Sequence, residues 1–217
     1  MTYNEKKSLY ESIMKEVAKT VKHKINEVDN SMLYESSYQD LTDLIDSASI
    51  RNGIDNLLAE NNSKFLYILA DASGSIKLQV YELLLPIIKH TIGYNYKAKL
   101  SPFTSELAPA IDIDNSEEEI SNHIYKFSGG TEIVDVLKEA ATKTKAPIVM
   151  ITDSLKYEDL SSIDKSIFNR TFFIVLEDYE ESARNLQKNG CSPKHITMAR
   201  YNISKLKSII SNGGSLI

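Results

Sequence analysis

The apolar positions of the chain change period near residue 64. Before that point the spacing is helical. Leu9, Ile13, Val17, Val21 and Ile25 recur at four-residue intervals, with Met14 and Ala18 beside them. This predicts one apolar stripe on a helix over 5–27. Lys15, Lys19, Lys22 and Lys24 fall mostly off the stripe. A polar stretch at 28–38 follows, and Asp40, Leu41, Leu44 and Ile45 begin a second, shorter helical pattern. A third helix is expected from about Ser49 to Glu60, with Ile50, Ile54, Leu57 and Leu58 on its apolar side. Asn61, Asn62 and Ser63 read as a turn. Residues 1–62 are therefore expected to form a helical N-terminal region, and 63–217 an α/β domain.

From Lys64 onward, short continuous apolar runs alternate with helical patterns. FLYILAD (65–71), APIVMITD (146–153) and RTFFIVLED (170–178) have the character of strands buried on both faces. Further strands are expected at 96–105, 108–113 and 195–202. Helices are expected at 75–92, where Pro86 should introduce a kink, and at 116–126, with Ser116 as N-cap and Glu119 in the capping-box position. Others are expected at 132–144, 158–167, 180–189 (ending at Gly190) and 203–211. This alternation predicts a doubly wound, mostly parallel sheet of about six strands flanked by helices, with right-handed crossovers.

Composition narrows the function classes. The chain has 217 residues, 42% hydrophobic and 25% charged, with a net charge of −5. No global basic character points to nucleic acid. No apolar run approaches the roughly 18 residues of a membrane span. The N-terminus lacks the apolar core of a secretory signal, so a cytoplasmic setting is expected. Cys191 is the single cysteine, which excludes an internal disulfide.

In an open α/β sheet, ligands bind beyond the carboxyl ends of the strands. Three polar groups fall there: Asp71-Ala72-Ser73-Gly74-Ser75 after the first run, Ser128-Gly129-Gly130-Thr131 before a helix, and Thr152-Asp153-Ser154 after IVMI. DASGS matches a DxSxS signature, and Thr131 and Asp153 follow in order. With these residues, 64–212 resembles the von Willebrand factor A, or integrin I-like, domain and its metal-ion-dependent adhesion site. The resemblance implies Mg²⁺ or Mn²⁺ bound by the Ser73 and Ser75 hydroxyls. Thr131 would bind directly or through water, and Asp71 and Asp153 mainly through water. Ser154 departs from the glycine of many relatives but removes no ligand.

Elementary chemistry agrees with this set. Mg²⁺ prefers six hard oxygens and readily keeps waters. Hydroxyl ligands are neutral, so the ion stays electrophilic toward one outside carboxylate. Gly74 is expected to let the backbone bend between the two serines. Asp112 and Asp114 form a further acidic pair, expected on the same side of the sheet as a solvated loop. A blander reading also stands, because Asp-x-Ser-x-Ser is a good helix N-cap and SGGT a good turn.

Other motifs are missing. His23, His90, His123 and His195 show no metal-ligand spacing. The chain has no GxxxxGK[ST], GxSxG, HExxH or CxxC. No nucleophile or general base accompanies the acidic groups, so the expectation is binding rather than catalysis. The partner would be a protein offering an exposed acidic residue. LYESIMKEVAKTVKHKINE also resembles, faintly, a leader on proteins of bacteriophages of gut bacteria, which implies a phage or bacterial source. An alternative is a structural component of a virion or complex, assembling or oligomerising through helices 1–60. A metal-dependent hydrolase is a third reading.

Overall fold

The computed structural model describes residues 47–74, 97–114, 117–127, 129–176 and 178–198. The helices expected over 5–27, 40–45, 75–92 and 203–211 lie outside the described residues, as do Ser75, Ser116 and Ser128. In chain order the elements are α1 (Ser47–Glu60), β1 (Phe65–Asp71), β2 (Lys97–Phe103), β3 (Ile111–Asp112), α2 (Glu117–Tyr125), α3 (Ile133–Lys143), β4 (Ile148–Thr152), α4 (Lys165–Phe168), β5 (Thr171–Val175), α5 (Tyr179–Lys188) and β6 (Ile196–Met198). Short 3₁₀ turns at Leu160–Ser162 and Pro193–His195 complete them.

The six strands form one sheet in the order β3-β2-β1-β4-β5-β6. All neighbours are parallel except β3, which runs antiparallel to β2. That order is the doubly wound, Rossmann-like one, with its switch point between β1 and β4. Every residue of β4 and β5 is buried, as strands covered on both faces require.

Side-chain alternation divides the core between two faces. Tyr67 and Leu69 of β1, Ile148 and Met150 of β4, and Phe173 and Val175 of β5 pack with Ile133, Val136, Leu137 and Ala140 of α3 and Ala183 and Leu186 of α5. Phe172 points to the other face, where α1 covers β5 and β6. Ile50, Ile54 and Leu57, the predicted apolar side of α1, are wholly buried. The helix drawn into the N-terminal region is thus a layer of the sheet. The turn after it forms as read: Ser63 N–H donates to Leu58 O at 3.0 Å, and Asn62 takes a left-handed φ of 44°.

Two expectations differ from the structure. The helix expected at 158–167 is a 3₁₀ turn and one short helix. Asp159 accepts from Ser161 N–H at 3.1 Å and Asp164 from Ser166 N–H at 2.7 Å. Each aspartate therefore starts its own turn, which interrupts a continuous helix. Asp112 and Asp114 do not share the rim with Asp71. β3 is antiparallel, so Asp112 pairs with Lys99 and Ile113 N–H reaches Ala98 O, near the start of β2. Asp71 pairs with Phe103 at the other end.

The α1–sheet contact gives a first prediction. A Cβ on Gly53 would lie 2.0 Å from Cζ of Phe172, a ring only 1% exposed. Gly→Ala ordinarily stabilises a helix by nearly 1 kcal/mol. Here, Gly53→Ala should instead lower stability by about 1–3 kcal/mol through overpacking. Urea unfolding should show the loss, and adding Phe172→Leu should restore part of it. An unchanged or raised midpoint for the single variant contradicts the contact.

Candidate metal centre

Asp71 ends β1 and Thr152 ends β4. Ala70 pairs with Ile151, so the next residue on each strand stands opposite the other. Both side chains project to the face of α3 and α5, since Asp71 is in phase with Leu69 and Thr152 with Met150. They meet there: Thr152 Oγ1–H donates to Asp71 Oδ2 at 3.0 Å. The other oxygen, Oδ1, accepts from Ser73 N–H at 2.8 Å. The Ser73 hydroxyl also bonds this carboxylate. Asp71 is 0% exposed, and Ser73 is buried too.

The carboxyl of Asp71 is pushed above its ordinary value of 3.8, chiefly by burial. The bonds from Ser73 oppose that shift, the negative charge of Asp153 adds to it, and Thr152 opposes it. Asp153 follows β4 directly, is half-buried, and accepts from Ser154 N–H at 2.7 Å. Its loop is clamped to α5. Leu155 N–H donates to Ser182 Oγ at 2.9 Å, and Asn185 Nδ2 donates to Leu155 O at 2.7 Å and Glu158 O at 2.9 Å. Glu158 is also pushed up, first by burial and then by Glu132 and Asp153. Glu132, Asp153 and Glu158 therefore share one negative field on this rim.

Thr131 is half-buried in the loop before α3. Glu132 N–H donates to Thr104 O at 3.0 Å, which anchors that loop just past the end of β2. Ala72 N–H donates to Phe103 O at 2.8 Å, so the loop after β1 is anchored at the same strand end. The structure thus brings Asp71, Ser73, Thr131 and Asp153 to the carboxyl rim around the switch point. Ser75 lies outside the described residues.

Sequence reasoning missed three supports: the Thr152 hydroxyl, the Thr104 carbonyl, and the Ser182–Asn185 clamp. The first was available from strand register, since residues in phase on adjacent parallel strands face each other. The other two depend on loop paths that carry no local pattern. Gly74, expected to supply a bend that only glycine allows, does not do so. A Cβ there meets nothing within 4 Å, and Gly74 is not among the positive-φ glycines. Neither crowding nor backbone conformation demands glycine.

The donors are carboxylates and hydroxyls, a hard-oxygen set that fits Mg²⁺ or Mn²⁺ rather than a metal preferring imidazole or thiolate. Among the described residues, no three His, Cys, Asp or Glu side chains gather as a metal group, so the hydroxyls are essential to any such site. The Asp71–Ser73 bond is also what an ordinary Asx turn makes. A turn alone does not account for Asp153 adding its charge to an already buried carboxylate. No protein-family model matches the chain, and no curated protein matches it.

The raised carboxyl of Asp71 fixes the sign of a pH effect. A carboxyl with a folded value above its unfolded one binds its proton more readily in the native state. Its charge then costs stability, and the cost grows as pH rises from 3.8 through the raised value. An asparagine at this position would still accept from Ser73 through Oδ1 and would donate through Nδ2 to the Thr152 hydroxyl, without the charge. In EDTA, Asp71→Asn should be at least as stable as wild type at neutral pH. Its advantage should vanish at acid pH, where the wild-type carboxyl is neutral. Urea unfolding across that range checks this, and a variant less stable at neutral than at acid pH, relative to wild type, refutes it.

Proposed function

We propose that this chain is a divalent-metal-dependent protein-binding module of the von Willebrand factor A type, in a phage or bacterial setting. In this reading, Ser73, Ser75 and Thr131 supply hydroxyl oxygens, and Asp71 and Asp153 orient waters around Mg²⁺ or Mn²⁺. The observation that carries it is the buried Asp71 carboxylate at the switch point, with Asp153 adding negative charge beside it. A pair of like charges held by register and hydrogen bonds is a standing electrostatic cost. A divalent cation bound beside both carboxylates would offset that cost.

Both Asp71 oxygens already accept bonds from Ser73 and Thr152, which suits an indirect role in coordination better than a direct one. When bound, the ion supplies an electrophilic point for one outside carboxylate oxygen, from a partner with an exposed acidic residue. His195 sits just before β6, at the opposite end of the strands from Asp71, so it is not a general base for chemistry at this rim. No helix among the described residues is long and apolar enough to cross a membrane.

Thermal unfolding in EDTA, and then with Mg²⁺ or Mn²⁺, tests the reading. Metal at about a hundred times its Kd should stabilise the fold by roughly 2.7 kcal/mol. For a chain of this size that raises Tm by about 5–10 °C. Asp153→Ala should fold but lose most of the rise. A wild type whose Tm is the same with and without saturating metal removes the proposal.

A further inference from the structure

The loops that carry Ser73 and Thr131 hang on two consecutive residues at the end of β2. Phe103 O accepts from Ala72 N–H at 2.8 Å, and Thr104 O accepts from Glu132 N–H at 3.0 Å. Thr104 N–H is used as well, donating to Glu106 O at 3.1 Å. The backbone of Thr104 is thereby fixed between the two loops, and the residue is only 7% exposed. Its side chain faces the second loop: a Cβ on Gly129, two residues before Thr131, would lie 3.7 Å from Thr104 Oγ1. Among the described residues, however, this hydroxyl has no hydrogen-bond partner.

The other buried polar side chains of the rim answer one another: Asp71 bonds Ser73 and Thr152, and each of those bonds Asp71. A buried hydroxyl with no partner costs free energy, and native folds keep such a group where a water, an ion or a ligand completes it. Resting on the metal-binding reading above, we propose that Thr104 is a further member of the ion site, its hydroxyl accepting a hydrogen bond from a water in the shell of the bound Mg²⁺ or Mn²⁺.

The acceptors of the rim favour this role. Mg²⁺ keeps several of its waters when a protein binds it. The charge of the ion makes each of those waters a stronger donor, and each needs an acceptor. Both oxygens of Asp71 already accept bonds from protein groups, and Asp153 Oδ1 accepts from Ser154 N–H. The Thr104 oxygen can accept two bonds and stands between the loops of Ser73 and Thr131. A hydroxyl is neutral, so it adds an acceptor for water without adding negative charge beside Asp71 and Asp153. Thr104 belongs to none of the three polar groups of the sequence. The parallel pairing of β2 with β1, which sets Phe103 against Asp71, brings it to the rim.

Full-length wild type, Thr104→Val and Thr104→Ser are compared by urea unfolding in EDTA and by titration with Mn²⁺, read from the EPR signal of the free ion. Valine keeps the shape of threonine and removes only the hydroxyl. In EDTA, Thr104→Val should be at least as stable as wild type, because no protein group loses a partner. It should bind Mn²⁺ about ten-fold more weakly, the usual effect of removing a group that holds a metal ligand in place. Thr104→Ser keeps the hydroxyl and should bind with close to wild-type affinity. A Thr104→Val chain that does not fold, or is less stable than wild type in EDTA, overturns the proposal, since the hydroxyl then has a partner without the ion. Equal Mn²⁺ affinity in wild type and Thr104→Val overturns it too, as does Thr104→Ser binding as weakly as the valine variant. A wild type that takes up no Mn²⁺ removes the metal reading together with this proposal, whereas the other adverse outcomes remove this proposal alone.

Discussion

The arrangement of the carboxyl rim depends on one constraint: a carboxylate buried at the end of a central strand must have both of its oxygens hydrogen-bonded. Asp71 meets it with the N–H and hydroxyl of Ser73 from its own loop and the hydroxyl of Thr152 from the neighbouring strand. The first partners fix how the chain leaves β1. The last depends on β1 and β4 being parallel and in a register that sets Ile151 against Ala70. A one-residue slip would turn Thr152 to the other face and leave the carboxylate with an unanswered acceptor. Register at the switch point and loop shape above it are therefore one problem, solved by one side chain.

The surrounding architecture holds those two strands rigid. α3 and α5 cover one face of the sheet and α1 the other, with Phe172 packed closely enough against α1 that residue 53 has no room for a side chain. The loop carrying Asp153 is fixed from below by buried Leu155 and from the side by Ser182 and Asn185 of α5. Asp153 thus stands where it does because α5 packs where it does. Preorganised charges of this kind do not relax away from one another, so their repulsion persists in the folded chain while both are ionised.

Much of this was legible in the sequence, because the strongest signals are long apolar runs. FLYILAD, APIVMITD and RTFFIVLED became β1, β4 and β5 within a few residues, and the apolar side of α1 was read residue for residue. The polar groups after β1 and β4 follow from the topology, which is why Asp71 and Asp153 were found together. What escaped were facts that live between segments. The antiparallel entry of β3, only two residues long, leaves no trace in its own sequence, and it carried Asp112 and Asp114 to the wrong rim. Two Asx turns divided a helix whose apolar spacing alone looked continuous. His195 showed no metal spacing, and its partner Glu60 lies 135 positions earlier in the chain, beyond the reach of any local pattern.

The two ends of the sheet carry opposite electrostatic designs. At the amino end, Glu60 meets Lys194 at 2.6 Å and the His195 ring at 3.1 Å. At the carboxyl end, the charge of Asp153 disfavours ionised Asp71, and Asp153 and Glu132 together do the same to Glu158. The nearby Lys156 is drawn instead to Asp178, at 2.6 Å. Charge pairing across an edge is what a fold uses to hold elements together. Like charges gathered over a switch point, where the backbone already fixes their positions, weaken the fold that carries them. Local features that cost stability yet are held firmly in place mark where a structure is arranged for a ligand rather than for itself. On that physical ground the carboxyl rim, and not the paired edge at the amino end, is where the proposed partner would meet this chain.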